Sequence, residues 1–220
     1  MSAVIDHWAD ADRGVVADDR PAGAAIPEPD GRATQRALFA GRQNVSPRRL
    51  VDPGPSPAQL QAMFEAAAAA PDHGRLVPYR FIVVPPSKRY LLAAAFGLAL
   101  VDRAPDATLE QIEAARSKAY RSPLLLLAVT DASDCGTDGI PALEKIVATG
   151  CAIQNLLLAA HAAGFGSGLT SGRAMNAARL RELFALKGHE QAVCFVNIGT
   201  VVASRPLRVR PQPSSFVSEL

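Results

Sequence analysis

Apolar residues along this chain follow two rhythms that alternate from one segment to the next. Leu60, Met63, Phe64 and Ala67 recur at spacings of three and four, which marks a helix with one buried face. Ser56 followed by Pro57 predicts its start as an N-cap and first helical residue, and Pro71 predicts its end. Phe81-Ile82-Val83-Val84 reads as a buried strand closed by Pro85-Pro86, with Ser87 as the cap of a helix over Leu91, Leu92 and Phe96. A more polar helix is predicted from Thr108 to Tyr120, and Leu124 to Val129 is a second apolar strand. The longest helix runs from Pro141 to Ala163, apolar on nearly all sides and stopped by Gly164. A short strand over Phe165 to Leu169, an amphipathic helix over Ala174 to Leu186 and a strong strand over Ala192 to Val201 complete the order. Upstream, a short helix after Thr34 carries Leu38 and Phe39 and ends near Gly41. Few strands alternate with long helices, which predicts an α+β layer architecture.

Composition narrows this picture. Hydrophobic residues make up 49 % of the 220, yet aromatics only 5 %, and a chain so rich in Ala suits packed helices rather than a β-sandwich. Net charge is +2 and the Arg residues are scattered, so no basic stripe points to nucleic acid. Three cysteines without a CxxC spacing, and four histidines without HxH or HxxxH, predict reduced thiols and no metal site. The N-terminus has neither a basic nor an apolar leader region, and the apolar run from Ile153 to Ala163 is too short to span a bilayer, so a cytoplasmic protein without a membrane segment is expected. Residues 1–32 mix many Asp with Ala, Gly and Pro and read as a flexible extension or an arm over a partner subunit; residues 33–220 read as one domain. The tail after Ser204 carries Pro206, Pro211 and Pro213 and reads as extended chain that needs another surface.

Common catalytic patterns are missing. Gly164-Phe165-Gly166-Ser167-Gly168 fails the dinucleotide fingerprint, because Leu169 stands where the last Gly belongs and a helix precedes it. No Walker A loop, Ser-His-Asp or Cys-His set, or paired carboxylates are apparent, so no catalytic side chain is assigned.

Three other stretches stand out: Gly41 to Val45; Ala69 to Phe81, with Ala70-Pro71-Asp72-His73; and Ala163 to Gly172. In order and spacing they resemble the FMN-dependent nitroreductase family, most closely its short single-domain branch with an Ala-Pro-Asp-His motif. The resemblance runs from about Arg36 to Leu220 and includes Asn197-Ile198-Gly199-Thr200 and Pro211 to Val217. It implies a central, mostly antiparallel sheet flanked by helices, and an intertwined homodimer in which both subunits build each FMN site. It further implies hydride transfer from NADH or NADPH to a small electron-poor acceptor, a nitroaromatic or quinone, in ping-pong order.

Elementary chemistry fits these residues to FMN. Arg42 offers a fixed charge and forked donors for a phosphate, while Gln43 and Asn44 suit ribityl hydroxyls or the pyrimidine edge. His73 and Arg75 fall where the family contacts the flavin, and a guanidinium at Arg75 would stabilise charge on the reduced ring. The Gly-rich stretch would let backbone approach a flat ring, with Leu169, Thr170 and Ser171 in the contacting stretch and Arg173 near the phosphate. Among Arg205, Arg208 and Arg210, Arg208 is favoured as the second phosphate cation. Gln43 and Asn44 depart from the family's Arg-Arg-Ser, Tyr79 from its Trp and Val77 from its Gln, which bears on substrate preference. Alternatives remain open: a specialised dehalogenase or dehydrogenase-like flavoenzyme, a flavin-binding protein without turnover, or an ordinary helix-end Arg42 and turn residue His73.

Overall fold

The computed structural model describes residues 30–134, 139–203, 206 and 208–220. Most of the acidic N-terminal segment, Cys135 and Arg205 therefore lie outside the described residues. In chain order the elements are helix α1 (Asp30–Gly41), strand β1 (Leu50–Val51), α2 (Pro57–Ala68), β2 (Tyr79–Val83), α3 (Arg89–Arg103), α4 (Leu109–Arg116), β3 (Leu124–Asp131), α5 (Ala142–Ala162), β4 (Gly166–Thr170), α6 (Ala178–Leu183) and β5 (Glu190–Val201). The strands form one antiparallel sheet in the order β1-β5-β3-β2, with β4 also paired to β5. This is the expected α+β architecture.

Strand β3 explains how one apolar run serves two cores. Its side chains alternate across the sheet. Leu126 and Ala128 join Met63, Ala67, Leu156 and Val196 beneath α2 and α5. Leu125, Leu127 and Val129 join Leu92, Leu180 and Phe195 beneath α3 and α6. Helices thus cover both faces, and the strand is buried on both sides. Between Ala128 and Val129 the register skips Val193 of β5, a bulge of the kind that adds local twist.

Local chemistry accounts for several ends. Ser56 Oγ accepts Gln59 N–H while Gln59 Oε1 accepts Ser56 N–H, a reciprocal box behind Pro57. Thr108 and Gln111 repeat it at α4. At the end of α5, Phe165 N–H donates to Ala160 O and Gly164 N–H to His161 O, and Gly164 takes φ +85°. That is a Schellman close, the glycine supplying the left-handed residue.

The structure departs from the pattern in five places. Among the described residues strand β2 pairs only with β3, and Val83 is exposed, so it is an edge strand and not a buried one. Ser87 caps nothing; it sits in a 3-10 turn (Pro86–Lys88), and the buried Arg89 anchors α3 instead, donating to the carbonyls of Val84, Ala119 and Pro123. The predicted helix over 174–186 is split into a 3-10 turn (Arg173–Asn176) and α6, because Ala177 is extended. Strand β1 was not expected at all. Helix α5, 21 residues long, is long and apolar enough to cross a membrane by length and composition, contrary to the shorter apolar run. It packs instead against α2 and the sheet, with the fully buried Lys145 reaching Ser133 Oγ at 2.8 Å and lying 3.7 Å from Asp131.

Candidate functional site

Two of the three stretches meet beside β4. Val45 N–H donates to Ser167 O at 2.8 Å, Asn44 and Ser167 form a parallel bridge, and Asn44 Oδ1 accepts Leu169 N–H at 3.0 Å. Segment 44–45 thereby becomes an extra edge of the sheet. A Cβ on Gly168 would lie 2.1 Å from Val45 O, and one on Gly166 would lie 2.3 Å from a Val201 methyl. These glycines serve close packing within the chain, which corrects the expectation that they make room for a ring. Gly172 meets nothing within 4 Å and borders open space. Asn44 is likewise committed to backbone, so it positions the segment.

Beyond β4 the chain lines a cavity of about 620 Å³, within the usual range for a small-molecule site. Thr170, Ser171 and Gly172 form one wall, and the polar floor is Asn197. Asn197 is buried; its Nδ2 donates to Thr170 Oγ1 (3.0 Å) and Gly168 O (3.3 Å), while its Oδ1 accepts from Ser122 Oγ (3.0 Å). Thr170 is therefore held by a network that sequence reasoning missed, although an amide inside the apolar run Val193 to Ile198 was a visible signal. Arg48, Lys118 and Arg121 also line this cavity and were not singled out. Burial, and then the charge of Arg48, lower the Arg121 pKa.

Segment 41–46 lines a second cavity of about 500 Å³, with Arg42, Gln43 and Ser167 in its wall. Ser167 Oγ is buried and has no hydrogen-bond partner among the described residues. The C-terminal tail returns here: Arg210 Nη2 donates to the Arg42 carbonyl at 2.6 Å. Burial, and then the neighbouring Arg210 charge, lower the Arg42 pKa. Arg210 is thus the tail cation placed beside Arg42, while Arg208, like Arg210 exposed, makes no such contact among the described residues. Thr170, Ser171 and Leu169 lie at the strand's far end, Ser171 exposed and Leu169 partly so.

The third stretch lies elsewhere in the chain. Gly74, Arg75 and Val77 all have positive φ, held by Asp72 Oδ2, which accepts Val77 N–H at 2.6 Å. His73 Nδ1 lies 2.7 Å from Glu144 Oε2, in the first turn of α5. Gly41, in contrast, abuts His161 in the last turn of the same helix. Seventeen residues at 1.5 Å each separate the two ends by roughly 26 Å. Within one chain, then, His73 lies at the opposite end of α5 from Gly41 and Arg42.

A model of the Nitroreductase family matches residues 42–200. A Haemophilus influenzae protein named "Putative NAD(P)H nitroreductase" is 36 % identical over 166 residues, covering 74 % of this chain and 89 % of its own. An Escherichia coli K12 relative of the same name, YdjA, is 30 % identical over 183 residues, covering 82 % and 96 %. Among solved structures, a nitroreductase-like family protein from Bacillus cereus superposes with TM-score 0.70 at 19 % identity, covering 84 % of this chain and 94 % of that one. An iodotyrosine deiodinase bound to FMN and 3-iodo-L-tyrosine gives 0.60 at 18 % identity, covering 80 % and 94 %.

Proposed function

The chain belongs to the nitroreductase family, and from that premise we propose that it binds FMN between two copies of itself and oxidises NADH or NADPH to reduce a small electron-poor acceptor. The observation that carries this reading is the approach of Arg210 to Arg42, its guanidinium on the Arg42 carbonyl and its charge felt by the Arg42 side chain, with neither in an ion pair among the described residues. Two guanidinium groups repel, and a phosphate dianion accepting forked hydrogen bonds from both removes that cost. The orphaned Ser167 hydroxyl beside them and the open space at Gly172 fit the polar chain and the flat ring of the same ligand. FMN supplies hydride transfer in both directions, which suits a chain with no assigned catalytic side chain.

The protein's own part is position and charge. Arg42 and Arg210 hold the phosphate, and Asn44 fixes the segment that carries Arg42 to β4. Asn197 holds Thr170, so that the wall from Thr170 to Gly172 is preorganised. The roughly 26 Å between the ends of α5 supports a second copy as the source of His73 and Arg75. Leu143, Ile146 and Val147 leave an exposed apolar stripe on the first half of that helix, and two such helices running antiparallel would set the start of one against the end of the other. Residues 33–220 form the flavin-binding unit.

An absorption spectrum of the purified protein tests this. A yellow protein bleached by anaerobic NADH or NADPH is expected. A colourless protein that refuses added FMN contradicts the reading, and a yellow one that neither nicotinamide bleaches restricts it to flavin binding. The deiodinase among the fold relatives keeps reductive dehalogenation within the acceptor screen.

A further inference from the structure

We propose that the large cavity reads an anionic group: its occupant, beyond the flavin, is a flat ring that carries a carboxylate or a phosphate. This deepens the flavoenzyme reading above and rests on it. Five cations, Arg48, Arg103, Lys118, Arg121 and Arg173, line the 620 Å³ space, and among the described residues no Asp or Glu does. Arg48, Arg103, Lys118 and Arg173 make no ion pair among the described residues. Other cations of the same chain do: Arg80 with Glu190, Arg179 with Asp102, Lys145 with Asp131. A net charge of only +2 makes this concentration local.

Apart from Gln111, Thr170, Ser171 and Asn197, the rest of the lining is apolar. Phe96 and Phe195 meet edge to face at 5.6 Å, with Leu100, Leu125 and Met175 beside them. Such a wall takes a ring, and a cleft lined by one sign of charge concentrates the opposite sign. FMN alone does not use five cations, since Arg42 and Arg210 serve its phosphate and its oxidised ring is neutral. The surplus suits a second ligand. Two sources share the required chemistry: an acceptor with a carboxylate, or the 2′-phosphate of NADPH.

The test uses the full-length holoprotein. Benzoate and benzamide are titrated against the flavin absorbance, and 4-nitrobenzoate and 4-nitrobenzamide are compared as acceptors. Carboxamide withdraws electrons more strongly than carboxylate, so intrinsic reactivity favours the amide, and a preference for the acid reports the site. About tenfold tighter benzoate binding and higher kcat/KM for the acid are expected. Both gaps should close in K118Q and R103Q, and in about 0.5 M sodium chloride. Equal behaviour of acid and amide, but about tenfold preference for NADPH over NADH with the same salt and variant sensitivity, assigns the anion to the donor and upholds the proposal. Equal behaviour of both pairs overturns it. Salt dependence of the unmodified protein keeps the test decisive should a variant fail to fold. If the protein holds no flavin, the flavoenzyme reading falls separately, and calorimetry with benzoate and benzamide still decides the charge preference of the cavity.

Discussion

At the residue scale, single atoms decide how close the chain approaches itself. Gly168 lets Val45 O come within what would be 2.1 Å of a Cβ, and the obstacle is backbone. Gly168→Ala is expected to cost about 1–3 kcal/mol and to weaken FMN binding, read by thermal unfolding and flavin titration. The tail cations separate cleanly: Arg210→Gln should weaken FMN binding roughly 10- to 100-fold, whereas Arg208→Gln should leave it within about twofold. Equal effects would remove Arg210 from the phosphate site. Glu190 offers a pH test. Bidentate hydrogen bonding from Arg80 holds its carboxyl down to about 2, below the ordinary 4.5. A folded pKa below the unfolded one means stability that is full above pH 4.5 and lost as pH falls towards 2. With Arg80 largely solvent-exposed, roughly 1–2 kcal/mol is expected to disappear across that window, and Glu190→Gln should flatten it.

At the scale of elements, much was legible because local chemistry and periodicity agreed. Ser56-Pro57 and Gly164 fixed their helix ends, and the reciprocal box at Ser56 means that Ser56→Ala should cost about 1 kcal/mol in a urea titration. The run from Leu124 to Val129 read correctly as a strand. Periodicity failed where tertiary contacts set the backbone. Ala177 is extended just before α6, which packs against α3, and nothing in Ala174 to Leu186 encodes that break. The two residues of β1 are too few for any pattern. Burial of Arg89 and Lys145 was invisible too, since each is tolerated through polar groups that other segments bring to it, carbonyls for Arg89 and Ser133 with the Asp131 carboxylate for Lys145. Within the site, the Arg42 and Thr170 stretches stood out by composition. Asn197, Arg121 and the contact of Arg210 with the Arg42 carbonyl depend on folding distance, which spacing along the chain does not carry.

At the scale of the whole molecule, one helix sets the problem. Helix α5 holds the His73 stretch at its start and the Arg42 stretch at its end, and the proposed flavin site, which uses both, therefore requires two copies. Val147→Glu, on the exposed stripe of α5, is expected to yield monomers that fold, by circular dichroism, but no longer retain FMN. Sedimentation velocity followed at both the protein and the flavin absorbance bands tests this most directly. Flavin should sediment only with a species of twice the mass of one chain. Flavin bound at the mass of a single chain would contradict the two-copy site.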